Sequence, residues 1–184
     1  MHQFHFSIDD LFWSVIQLSD WNLPVSHQPL LGFLANLHSE TGAVSDLQVF
    51  GRAHALDGRA RHLSEVTASA AERLGAVPGF RWGPHALDYA TPPHAQHPAE
   101  ASATFQALFG DIARFCPAAQ RSPWLRLHYF SELHELAALF RANGVHALMT
   151  TDNPALCYRL PEAQRHDLPR AGRTAFGVIG FVTS

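Results

Sequence analysis

Short apolar runs with strand character alternate with amphipathic stretches along most of this chain, and that alternation narrows the folds open to it more than any other feature. Strand character falls at residues 3–8, Val44–Phe50, Gly79–His85, Trp124–His128 and Val145–Thr150. Between them, Leu11–Ser19, a stretch opened by Pro29 and closed by Gly42, Arg61–Leu74, Glu100–Phe115 and Glu132–Asn143 read as helices. Leu30, Leu31, Leu34 and Leu37 share one helical face, as do Phe105, Leu108, Ile112 and Phe115. Pro29 suits a first helical turn, and Gly42 and Gly144 suit positions just past a helix end. Gly51–Gly58 and Ala86–Pro98 read as loops. Beyond Thr151 the pattern fades, with short strand character at Tyr158–Leu160 and a final strand at Phe176–Val182.

Strands alternating with helices predict an α/β fold with a mostly parallel sheet and right-handed crossovers. No repeat or linker divides the 184 residues, so a single domain over 1–184 is expected. Its end, about 155–184, is weakly patterned, as in a domain truncated there. A 47% hydrophobic, 16% charged chain of net charge −3 fits a globular protein and gives no nucleic-acid surface. No apolar run reaches the ~20 residues of a membrane span. Cys116 and Cys157 make neither a disulfide framework nor a zinc knuckle. Together with a start lacking signal-peptide features, they predict a cytoplasmic protein.

In parallel α/β folds, function gathers at the carboxyl ends of the strands. Those ends are Asp9-Asp10, Gly51-Arg52, His85, His128-Tyr129 and Thr151-Asp152-Asn153. Two adjacent acids at a strand exit are costly unless a cation, an arginine or free helix N–H groups compensate them. Asp10 and His85 suit a divalent cation, zinc first, and Asp9 beside it suits a general base that takes a proton from water. A third ligand would come from His94, His97 or His128. In Arg126-Leu127-His128-Tyr129 an alternating strand puts Arg126 and His128 on one face. Arg126 would then pair with Asp9 and lower its pKa. The competing expectations are structural: helix capping by Asp9 or Asp10, solvent-facing His94 and His97, and a turn at Asp152. His5 and His146 read as core histidines, and Asp88 and Tyr89 as residues near the mouth of the site.

Ser7-Ile8-Asp9-Asp10, Gly83-Pro84-His85 and Arg126-Leu127-His128-Tyr129 resemble three motifs of the polysaccharide deacetylase superfamily, the NodB-like carbohydrate esterases. The apolar stretch from Gly144 to Asp152 is similar to the approach to a fourth. The resemblance spans roughly residues 3–155. It implies an incomplete (β/α) barrel of about six or seven mostly parallel strands and a metal-dependent hydrolase that removes acetyl groups from sugars. Under it, Asp9 is the catalytic base, oriented by Arg126, and Asp10 and His85 bind the metal, with His94, His97 or His128 as third ligand. His128 would protonate the leaving amine, and the Tyr129 segment would bind the oxyanion. The chain departs from the family at Tyr89, where a second histidine is usual, at Leu11 in place of a glycine, at His128 in place of a proline, and in lacking a C-terminal Leu-x-His. Those departures motivate a rival expectation, a degenerate barrel that binds a glycan or metabolite. The open edges of an incomplete barrel would be coverable in a homo-oligomer.

Overall fold

The computed structural model describes residues 6–151, 153, 159–162 and 164–165, and the backbone of 173–176 and 179–183. Expectations at His5, Asp152, Cys157 and Tyr158 lie outside these residues.

The first half of the chain builds a parallel sheet of β1 (Ser7–Ile8), β2 (Ser45–Phe50) and β5 (Phe80–Ala86), in the order β1-β2-β5. Two helices connect the first pair, α1 (Phe12–Asp20) and α2 (Pro29–Thr41). The start and end of α2 follow from local chemistry. Gln28 accepts the Leu31 N–H at 2.7 Å, Pro29 fills the first turn, and Gly42 ends it at φ 72°. β2 is buried along its whole length, as a central parallel strand must be.

Between β2 and β5 the expected loop and long helix are replaced. Arg52–His54 (β3) and Ala60–His62 (β4) form an antiparallel hairpin. Asp57 and Gly58 turn it, with Gly58 at φ 80° and the Asp57 carboxylate accepting the Arg59 N–H. Helix α3 therefore spans only Ala68–Gly75, with Thr67 as its N-cap.

Helix α4 (Pro98–Ala113) leads to the second half, where β6 (Trp124–Leu125), β7 (Ala147–Thr150) and β9 (Ile179–Thr183) pair in parallel, with α5 (Ala137–Ala142) between β6 and β7. β8 (Arg173–Phe176) pairs antiparallel with β9. The single final strand expected from the sequence is thus a hairpin. Strand four stops at Leu125 because the chain folds back over 128–130, with Tyr129 at φ 56° and Phe130 at φ 53°. The helix expected from Glu132 is cut to one 3₁₀ turn and α5. His146, expected in the core, is exposed.

The architecture is mixed α/β with small sheets, and the described strands do not close a barrel. The sheets meet at one seam, where Trp82 and Arg121 form a parallel bridge and Ser122 donates to the Trp82 carbonyl at 2.9 Å. Gly83 makes that approach possible: a Cβ there would lie 2.3 Å from Leu125 Cδ2 and 2.7 Å from Gln48 Oε1. Apolar side chains pack as two clusters, one around β2, β5, α1, α2 and α3, the other around α4, β6, α5 and β7. Among the described residues, no helix is long and apolar enough to cross a membrane.

Candidate metal and hydrolytic centre

Because β1, β2 and β5 run parallel, their carboxyl ends share one edge. Asp9 and Asp10 follow β1 directly, and His85 sits near the end of β5. The turn after β6 brings Arg126 and His128 over the same edge. A cleft of about 300 Å³ opens there, lined by Asp9, Asp10, His85, Arg126, His128 and Tyr129 among others.

The acids do not cap α1. Its N-cap is Leu11, and no side chain caps the helix. Asp10 instead adopts φ 63°, a left-handed conformation that Asp tolerates better than most residues, and its Oδ1 lies 3.3 Å from His85 Nε2.

The two imidazoles are fixed by main-chain acceptors. His85 Nδ1 lies 2.6 Å from the Arg126 carbonyl, and His128 Nε2 lies 3.1 Å from the Tyr89 carbonyl. A carbonyl only accepts, so each of these nitrogens carries a hydrogen. In the neutral rings, His85 Nε2 and His128 Nδ1 are therefore both lone-pair nitrogens, and they face each other at 3.2 Å. A proton, a bridging donor or a cation held by both nitrogens would relieve that opposition. Burial pushes the His85 imidazole down to about 4, against its bond to the Arg126 carbonyl, which disfavours the proton. A metal ion fits. Ligand atoms 2.0–2.1 Å from a tetrahedral zinc are about 3.3 Å apart, close to the 3.2 and 3.3 Å found here. One ligand atom from each of Asp10, His85 and His128 lies within 4.8 Å of the others. Phe50 closes the floor beneath the rings, edge-on to His85 at 5.0 Å and to His128 at 5.1 Å. Nitrogen bound to a carbonyl on the far side is the usual way a ligating histidine is oriented.

His94 and His97, expected to complete the metal set, are not brought to this cluster. His94 Nδ1 lies 3.1 Å from Ser131 Oγ, whose hydroxyl donates to the His128 carbonyl at 2.7 Å. It braces the turn that carries His128. His97 caps α4, its Nδ1 accepting the Ala99 N–H. His128, expected to protonate the leaving group, has both ring nitrogens engaged: one on the Tyr89 carbonyl, the other toward His85. Its place in the sequence was legible as Arg-x-His, two positions on one face. Of the three histidines expected to offer a third ligand, the turn after β6 brings His128 to Asp10 and His85.

Asp9 stands apart from the ligand atoms. Arg126 Nη1 lies 3.2 Å from Asp9 Oδ2, and Arg126 Nη2 donates to Ser7 Oγ at 2.5 Å. Asp9 Oδ1 is buried without a hydrogen-bond partner among the described residues. Arg126 was expected to lower the Asp9 pKa, but the net shift is upward. Burial pushes the carboxyl to about 6, the Arg126 charge pulls it back, and the neighbouring Asp10 charge adds to the rise. Tyr129 lies over the site, its ring centroid 4.2 Å from that of His128. Asp88 is buried at the neighbouring cleft and paired with Arg52, and Tyr89 is exposed beside it.

No protein-family model matches this chain, and searches of curated proteins and of solved structures return no match.

Proposed function

We propose that this chain is a metal-dependent hydrolase of the NodB-like deacetylase type, acting on an acylated sugar. The observation that carries the reading is the pair of opposed imidazole lone pairs, with an exposed carboxylate beside them and a separate arginine-paired acid next to the cluster. Asp10, His85 and His128 would hold the cation, zinc being the first choice for two nitrogens and one oxygen with a position left open. When bound there, it supplies Lewis acidity toward water and the acyl oxygen.

The chain's own residues account for the rest. Asp9 accepts a proton from the attacking water as the water oxygen bonds to the acyl carbon. Arg126 holds that carboxylate in place and is itself anchored on Ser7. As the acyl C–N or C–O bond breaks, the proton on Asp9 passes to the departing nitrogen or oxygen. That proton path fills the role first given to His128. Tyr129 lines the cleft where the acyl oxygen would lie.

The same reading joins the two sheets into one incomplete barrel, β1-β2-β5-β6-β7-β9, supported by the Trp82–Arg121 seam and by the Gln48 amide donating to the Trp124 carbonyl at 3.1 Å.

The test is metal content and turnover together. Protein purified without added metal should carry near-stoichiometric divalent cation and deacetylate an acetylated sugar. Asp9→Asn should keep the metal and lose turnover. Folded protein that takes up no metal would leave the degenerate binding barrel as the better account.

A further inference from the structure

A second cleft, of about 380 Å³, adjoins the metal centre and meets it at Asp10. Its wall is mostly apolar, formed by Phe12, Trp13, Phe50, Ala53, Tyr89 and Ala90, with Asp10, Arg52, His54 and Asp88 as its polar members. Two of the charged groups on that wall, Arg52 and Asp88, pair with each other. Arg52 donates to Asp88 Oδ2 through Nε at 2.9 Å and through Nη2, and Asp88 Oδ1 accepts the Ala90 N–H at 3.0 Å. Trp13 is held edge-on against Phe12 at 5.3 Å, and it continues the wall into a further cleft of about 520 Å³ with His54, Ala55 and Leu56. The β3–β4 hairpin that supplies Ala53 and these residues is the element the sequence pattern did not announce.

A sugar ring seated here would set most of its hydroxyls against aromatic and methyl groups, with His54 and Asp10 as the polar exceptions. An acetyl group would leave most of the cleft unfilled. An aliphatic chain suits both the lining and the room. We propose that the cleft beside Asp10 is an acyl pocket, and that the centre takes acyl groups with a medium-length aliphatic chain in preference to acetyl. The proposal rests on the hydrolase reading of the adjoining centre and names its substrate class. The bond broken is the acyl C–N or C–O bond, water is the co-reactant, and the products are the medium-chain carboxylic acid and the amine or alcohol.

The experiment has two arms on the intact protein. In the first, metal-loaded protein hydrolyses p-nitrophenyl acetate, butyrate, hexanoate and octanoate. The expected kcat/KM rises from acetyl to hexanoyl by up to roughly fourfold per added methylene. Ala53→Phe and Ala90→Phe, each checked for folding by metal uptake, should lower the hexanoyl-to-acetyl ratio at least tenfold. In the second arm, metal-free protein is titrated with sodium hexanoate and with sodium acetate while tryptophan fluorescence is followed. Hexanoate should bind at least tenfold more tightly, and Ala53→Phe should remove the difference. Hydrolysis that is flat along the series or best for acetyl overturns the acyl pocket and leaves the hydrolase standing. No hydrolysis of any ester overturns the hydrolase, and the hexanoate titration then decides the pocket: selective binding lost in Ala53→Phe upholds it, and equal binding of the two carboxylates overturns it.

Discussion

His85 Nε2 and His128 Nδ1 face each other at 3.2 Å, each as the lone-pair nitrogen of a ring whose other nitrogen is bound to a main-chain carbonyl. Two such nitrogens attract nothing in each other. A cation held by both would relieve that opposition.

His128→Ala should therefore weaken zinc or cobalt binding more than the 10–100-fold typical of losing a supporting partner. His97→Ala should leave it unchanged, since that ring serves the start of α4. Isothermal titration with zinc measures both. Equal affinity in wild type and His128→Ala would remove His128 from the ligand set.

Asp9 links the chemistry to stability. Its carboxyl titrates at an ordinary 3.8 when unfolded and at about 6 in the folded, metal-free protein. Below 3.8 both states hold the proton and the group is neutral in the balance. Between the two values the folded state binds more protons, so stability falls as pH rises. Above 6 the whole difference, about two pKa units or ~3 kcal/mol, weighs against the fold. Metal-free Asp9→Asn should then gain up to about 2–3 kcal/mol at pH 7 and little at pH 3.5, measured by urea unfolding at both pH values. The same variant should lose at least 100-fold in kcat.

Asp88 behaves in the opposite sense. Burial alone would raise its pKa, but its bonds to Arg52 and Thr91 outweigh burial and hold it below the usual carboxylate range. A depressed folded value means stabilisation that is present above the unfolded pKa and lost as pH falls through the folded one. Arg52→Ala should flatten that acid limb of the stability curve and destabilise the protein near neutrality, where Asp88 is left buried and charged. Thermal melts between pH 3 and 7 would show it, and an unchanged acid limb would remove the pair from the account.

The parts of this molecule that local signals dictate were legible in the sequence. The apolar period and the Pro29 and Gly42 punctuation gave α2 to within a residue, and the strand character of Val44–Phe50 marked β2 to within a residue. Asp10 with His85, and Asp9 with Arg126, followed from knowing where parallel strands end. What was not legible depends on backbone turns that no local pattern announces. Tyr129 and Phe130 both take positive φ, as glycine would, and that turn swings His128 onto His85. In the same way Arg61 looks helical by its neighbours, yet its guanidinium bonds Asp20 from across the chain and its strand pairs with β3. The sign of the Asp9 shift was missed because an arginine partner was visible in the sequence and the depth of burial was not.

Gly83 ties the fold to the site most directly. It lies in β5 two residues before His85, and the space its missing side chain leaves is filled by Leu125 of β6 and the Gln48 amide. A methyl group there would meet Leu125 Cδ2 at 2.3 Å and Gln48 Oε1 at 2.7 Å, so β6 has to withdraw or Gln48 has to give up its place. Overpacking of this kind costs about 1–3 kcal/mol. The further consequence is at the candidate metal centre, because His85 is carried by β5 and His128 by the turn just after β6. A shift of a few tenths of an ångström between those strands separates ligand atoms now 3.2 Å apart. Gly83→Ala should lower the melting temperature and weaken zinc binding together, and adding Leu125→Ala should restore metal affinity by vacating the space. Recovery in the double variant would assign the loss to strand spacing. Failure to recover, in a protein that still folds, would show that the spacing of β5 and β6 does not set the ligand geometry.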